Sequence, residues 1–198
     1  MKLWLKAACI AFVLAVLFSM IPFQATCREI SDDVFRLHIL ANSDCASDQA
    51  LKLRVRDRVL AYTEDWFRQA HSKQEAQSLL RDRLQEIADV AARAVRDNGY
   101  SYGVKAELTN MYFSTRRYDD YTLPAGKYDA LRLTLGKGEG HNWWCVMFPS
   151  LCLTDLSDRD ETAKEALSDG AYDVVKNEDT EYRFFIVEWW EKLRAMFA

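Results

Sequence analysis

Histidine is scarce in this chain: the three residues stand at positions 38, 71 and 141, none spaced to share a helix face, and no Cys-x-x-Cys pair exists. The local patterns of a zinc site are missing, so no metal and no cofactor is expected. An excess of positive charge is also lacking, with a formal net charge of −4. Phosphate-backbone binding draws on clustered Lys and Arg, so nucleic acid drops out as a partner. Glycine is sparse, and its one cluster, Gly136-x-Gly138-x-Gly140, fits neither the dinucleotide nor the Walker spacing. It leads into a strand-like run at Trp143 instead of a helix, and therefore reads as a loop and not a phosphate cradle. A thiol hydrolase needs a Cys beside a proton-accepting His, and Cys145 with His38 or His141 is the only plausible pairing. No nucleophile motif surrounds Cys145, so no catalytic residue is assigned. An exported thiol hydrolase acting on envelope material with Cys145 as nucleophile stays as the alternative function.

What is present begins with a leader. Lys2 and Lys6 precede an uncharged run of seventeen residues from Ala7 to Phe23, the charged and apolar regions of an export signal. Residues 1–27 therefore form a signal peptide or, if uncleaved, a signal anchor in contact with the membrane, since seventeen residues lie at the short limit for spanning a bilayer. Ala25-Thr26-Cys27 offers a cleavage site, whereas Gln24-Ala25-Thr26 is a poor lipidation signal ahead of Cys27. Export places the remaining cysteines where disulfides persist. Cys145 and Cys152 flank a short segment containing Pro149 and are the candidate pair, with two buried free thiols as the alternative; Cys45 has no evident partner.

Residues 34–155 read as one domain. Phe35, Leu37 and Ile39 alternate with Arg36 and His38, a half-buried strand with His38 on its polar face. Asn42-Ser43-Asp44 supplies cap chemistry for a helix carrying Leu51, Val55, Val59, Tyr62 and Trp66 at helical spacing. Ser72-Lys73-Gln74-Glu75 is a capping box opening a second helix that runs without Pro or Gly to Asn98-Gly99. Period-two segments follow around Val104–Leu108, Leu131–Leu135 and Trp143–Phe148, the last two expected to pair as a hairpin. These elements predict an α+β fold: a mainly antiparallel sheet of about four strands with a two-helix layer on one face. Residues 156–181 read as an acidic linker or solvated helix that adds no core, and 182–198 as a C-terminal amphipathic helix.

Two strings then become informative. Arg36-Leu37-His38-Ile39-Leu40-Ala41-Asn42-Ser43-Asp44 and Gly138-Glu139-Gly140-His141-Asn142-Trp143-Trp144-Cys145-Val146-Met147-Phe148-Pro149 resemble the stage II sporulation protein R family. Asp48-Gln49-Ala50-Leu51-Lys52 and Leu123-Pro124-Ala125-Gly126-Lys127-Tyr128 support the resemblance, which extends from Phe35 to the tail. It departs at Cys45, where a small polar residue is more usual, and at Ser150, where a second Pro usually stands. The resemblance implies a signalling protein exported from the forespore into the space between forespore and mother-cell membranes. There it would activate a membrane-embedded sporulation aspartic protease, which removes the pro-segment of the early mother-cell sigma factor. The catalytic residues would belong to that partner. The candidate partner contacts are Arg36, Asn142, Trp143, Trp144, Trp189 and Trp190, because large aromatics presented by one short strand and by the tail are typical binding anchors.

Overall fold

In a computed structural model the described residues are 2–118, 121–151, 156–177, 184 and 188, with backbone alone for 2, 13, 16, 17, 19, 20 and 156–159. The expected C-terminal amphipathic helix lies outside them, apart from Phe184 and Glu188. The order of elements is α1 (Lys2–Asp33), β1 (Phe35–Leu40), α2 (Ala46–Gln69), α3 (Lys73–Asp82), α4 (Leu84–Asp97) and β2 (Val104–Phe113). There follow β3 (Arg116–Tyr118), β4 (Tyr121–Leu123), β5 (Gly126–Leu135), β6 (Asn142–Phe148), α5 (Leu156–Ala166) and α6 (Asp169–Lys176). The fold is α+β, with a four-stranded sheet in the order β2-β5-β1-β6 and a separate β3-β4 ribbon. Pairing is antiparallel for β2 with β5 and β1 with β6, and parallel for β1 with β5.

The hairpin expected between β5 and β6 does not form, because β1 lies between them. Their connection wraps the end of β1: the Gly140 N–H donates to the Ala41 carbonyl at 2.9 Å and the Glu139 N–H to the Asn42 carbonyl at 3.3 Å. An internal position also explains why β1 is buried on both faces and not on one, from Phe35 through Ile39. On the first face Phe35, Leu37 and Ile39 meet Leu51, Val55 and Val59 of α2, Ile87 and Ala91 of α4, and Leu131, Leu133 and Leu135 of β5. Each large aliphatic side chain buried there contributes about 2 kcal/mol of transfer free energy.

The helical stretch opened by the capping box is divided at Arg83, whose backbone leaves helical geometry at φ −120° and ψ 19°. Ser72 caps α3 as expected, accepting from the Glu75 N–H at 3.2 Å, and the Glu75 carboxylate takes the His71 N–H at 2.9 Å. The break changes the inward-facing stripe from Ala76 and Leu80 before it to Ile87, Val90, Ala91, Ala94 and Val95 after it. The Arg83 guanidinium sits 4.5 Å from the Trp66 ring, so packing on α2 accompanies the break without Pro or Gly.

The second face of the sheet is covered too. Ile30 and Val34 at the end of α1 join Phe113, Tyr128, Ala130 and Val146, together with Ala163, Leu167, Ala171 and Val175 of the α5–α6 region. The acidic stretch thus contributes core where none was expected, through four small or branched apolar residues at intervals of four in otherwise polar helices. In α1 itself, Phe23, Cys27 and Ile30 form a buried stripe that Val34 continues just past its end, whereas Leu3, Trp4, Leu5, Ile10, Phe12, Phe18 and Ile21 are exposed. The Phe23 ring lies 5.4 Å from that of Phe184. Among the described residues no helix is long and apolar enough to cross a membrane; the Ala7–Phe23 run includes five residues described by backbone alone.

Candidate functional site

The two sequence strings come together because β1 and β6 are neighbours, with His38 opposite Trp144 and Ile39 opposite Trp143. Successive strand residues point to opposite faces, so the Trp pair is divided between the two layers. Trp143 lies half-buried on the helical face with the Arg56 guanidinium 4.3 Å from its ring. Trp144, also half-buried, stacks on His38 at 3.9 Å with the planes 5° from parallel, and meets Phe113 edge to face at 4.7 Å. The exposed Asn142 accepts from His38 Nε2 at 2.9 Å. With Nε2 as the donor, His38 Nδ1 is the unprotonated nitrogen, buried with no partner among the described residues. Burial pushes the His38 pKa below 6.5; the Asn142 bond opposes that shift and the Arg132 charge adds to it.

Arg36 has no exposed surface. It therefore does not present a contact at the surface of this fold. Its guanidinium carbon sits 4.1 Å from the Phe113 ring centroid, 4.9 Å from Tyr128 and 5.7 Å from Tyr118, and Nη2 donates to the Tyr118 hydroxyl. Among the described residues Nε and Nη1 have no acceptor and no carboxylate approaches, so the cation is held by ring quadrupoles and one phenol. Burial lowers its pKa, and the neighbouring tyrosines partly restore it.

A polar cluster closes the end of β1. Asp48 Oδ2 accepts from the Asn42 amide at 2.8 Å and the Ser43 hydroxyl at 2.6 Å, and Oδ1 from the Tyr102 hydroxyl at 3.0 Å. These donors, Ser43 first, hold the Asp48 carboxyl down at about 2. Asn42-Ser43-Asp44 therefore ties the β5–β6 loop to α2 instead of capping the helix, whose first flanking residue is Cys45 with no side-chain cap bond. Asn42 Oδ1 accepts from the Lys137 N–H at 3.0 Å, and Asp44 accepts from the His141 N–H at 2.6 Å and from the His141 ring. Lys52 donates to the His141 carbonyl at 2.8 Å. Gly140 is required by this closure, because a Cβ there would lie 2.2 Å from the Ser43 carbonyl oxygen.

Cys145 is buried in the first core, on the sheet face opposite His38, while the His141 side chain is 79% exposed in the loop. Neither imidazole is arranged beside the Cys145 sulfur in the way a Cys nucleophile needs, and that sulfur is not a free thiol. Cys152, Trp189 and Trp190 lie outside the described residues. Among the described residues no group of three or more His, Cys, Asp or Glu side chains is arranged to hold a metal ion. Tyr102, Phe113, Tyr118 and Arg132 complete the two clusters, and no sequence motif marks them. Arg132 enters through the register of β5 against β1, and Phe113 lies on β2, which pairs with β5.

A family model described as stage II sporulation protein R matches residues 31–158, which include the β1–β6 pair and the loop cluster. The chain belongs to the stage II sporulation protein R family. It is 35% identical over 181 residues to the stage II sporulation protein R of Bacillus subtilis (strain 168), covering 81% of each chain. No solved structure matches. Membership of the stage II sporulation protein R family carries a sporulation-related role. The matched region spans both edge-strand tryptophans, the Arg36 box and the Asp48 cluster.

Proposed function

We propose that this chain is an exported signalling protein of endospore formation that acts by contact. It activates a membrane-embedded aspartic protease facing the space between forespore and mother-cell membranes, and so triggers removal of the pro-segment of the early mother-cell sigma factor. The observation that carries the reading is the family match across residues 31–158, with an apolar leader directly before it. The action is a population shift: the domain binds the active state of the protease better than the inactive one, and the equilibrium moves by that difference in affinity. Asn142, Trp143 and Trp144, with Trp189 and Trp190 of the tail, are the proposed contacts; Arg36 supports them from inside. In an oxidising compartment Cys145 pairs with Cys152, which makes the unreduced chain lighter by two hydrogens. A leader that stays uncleaved holds the domain at the membrane through the exposed apolar half of α1. The protein is a ligand and not an enzyme in this reading.

The test is immunoblotting of the sigma factor in a sporulating host lacking this chain. The full chain restores conversion of the pro-form, and a leaderless chain does not. Equal conversion by the leaderless chain would sink the extracytoplasmic mechanism.

A further inference from the structure

On the second sheet face β5 and β6 carry the partly exposed Arg132 and Trp144 on either side of the buried His38 of β1. Arg132 lies opposite His38 across the β1–β5 pair and opposite Glu107 across the β5–β2 pair. Glu107 is an inadequate partner for it. The Arg132 Nη1 is 3.7 Å from Glu107 Oε1, whereas Lys105 Nζ approaches Glu107 Oε2 at 2.6 Å. Arg132 Nε is buried and has no acceptor among the described residues, although the side chain as a whole is 37% exposed. A second cation, the exposed Arg116, stands 5.9 Å over the Trp144 ring. Deeper on the same face two further buried donors, Arg36 Nε and Nη1, have no partner among the described residues. A folded protein ordinarily satisfies its buried donors, so the orphaned Nε of the partly exposed Arg132, on the same face as the half-buried Trp144, marks a place completed from outside, whereas Arg36 is sealed beneath it.

We propose that this surface receives a carboxylate-bearing segment of a protein partner, an acidic loop or strand. A side-chain carboxylate bonds Arg132 and Arg116 while the adjoining backbone or aliphatic stem lies on the Trp144 ring. Charge decides the sign: among the described residues Arg132, Arg116 and Lys105 stand on this face with Glu107 as the acidic group, so an anion is attracted and a basic segment repelled. Guanidinium groups decide the geometry, since a planar carboxylate can take two parallel N–H bonds from an Arg. Trp144 decides against an isolated inorganic ion, because a large apolar platform adds affinity only for a ligand with a stem to lay on it. The inference rests on the reading that the chain works by contact, and it names the chemistry of the contact.

The test uses the full chain, labelled with 15N in neutral detergent, titrated with the peptide Ac-Glu-Asp-Glu-Asp-NH2, its amide counterpart Ac-Gln-Asn-Gln-Asn-NH2, or inorganic phosphate. The Arg132 Nε–H and Trp144 indole resonances should shift saturably with the acidic peptide, and the Trp143 indole on the opposite face should not. Arg132→Gln should weaken that binding about tenfold, whereas Arg54→Gln, on the helical layer, should leave it unchanged. Equal shifts with the amide peptide or with phosphate, or unaltered binding by the Arg132→Gln chain, would overturn the site. Sigma-factor processing by the unaltered chain is scored in parallel. Saturable peptide binding without processing would overturn the signalling function and leave the site, and processing without any peptide effect would do the reverse.

Discussion

Phe113 and Trp144 belong to the two outer strands of the sheet, β2 and β6, yet their rings meet at 4.7 Å and 68°. Contact between opposite edges requires the sheet to curl over its second face, and Arg36 is sealed under that closure with Phe113 directly above its guanidinium. The curl makes a cup whose interior is cationic at the bottom and aromatic at the rim.

A buried Arg without a carboxylate has lost its hydration for cation–π contacts and one phenol bond, and isosteric apolar replacement of such charges is often neutral or stabilising. Arg36→Met should therefore leave urea-unfolding stability within about 1 kcal/mol of the parent or raise it, whereas Arg36→Ala, which opens a void, should lose about 3 kcal/mol. A large loss in the Met variant would mean that the ring box outweighs the desolvation.

Asp48 serves three donors from two segments, the loop after β1 and the stretch before β2. Removing it in Asp48→Ala leaves those donors unanswered and should cost on the order of 3 kcal/mol, with Asp48→Asn between it and the parent. Chemical denaturation of the three chains checks the order. A cost under 0.5 kcal/mol would show water taking over the role.

Gly140 and Gly170 make a contrasting pair. A Cβ at 140 meets the Ser43 carbonyl at 2.2 Å, and one at 170 meets nothing within 4 Å. Gly140→Ala should lower stability by about 3 kcal/mol because backbone must move. Gly170→Ala, inside α6, should raise it by up to about 1 kcal/mol through helix propensity. Thermal melts of both variants settle the matter, and similar melting temperatures would contradict the loop geometry.

Acid should destabilise the domain in two stages. His38 has its folded pKa lowered from 6.5, so below that pH the unfolded chain binds more protons and stability falls as pH drops. Asp48 has its folded pKa lowered from 3.8 to about 2, so its contribution is intact above 3.8 and is lost as pH falls from there toward 2. Urea midpoints measured from pH 7.5 down to 2.5 should decline in both windows, with His38→Phe removing the first decline and Asp48→Asn the second. A midpoint that rises on acidification from pH 7 to 5 would refute the His38 assignment.

Local chemistry made several elements readable from the residues alone. The alternation of Phe35, Leu37 and Ile39, the Ser72–Glu75 cap and the opposite facing of Trp143 and Trp144 each follow from a period or a hydrogen bond within a few residues. What depended on distant pairing did not emerge. The insertion of β1 between β5 and β6 buries Arg36 and His38, two residues whose polarity reads as surface. Ala163, Leu167, Ala171 and Val175 are too thinly spread in an acidic stretch to announce a core, and they become one only because the sheet offers a second face. The candidate surface shows the same division: the Trp pair is visible in the strand, while Arg132 enters only through the register of β5.

If the exported chain is by itself sufficient to switch on the membrane protease, that sufficiency can be read by co-expressing the full chain, the protease and the pro-sigma substrate in a host that does not sporulate. Cleavage of the substrate is expected with the exported chain, and none with the leaderless one or without the chain. Absence of cleavage with all three proteins present and exported, or equal cleavage without the chain, would contradict it.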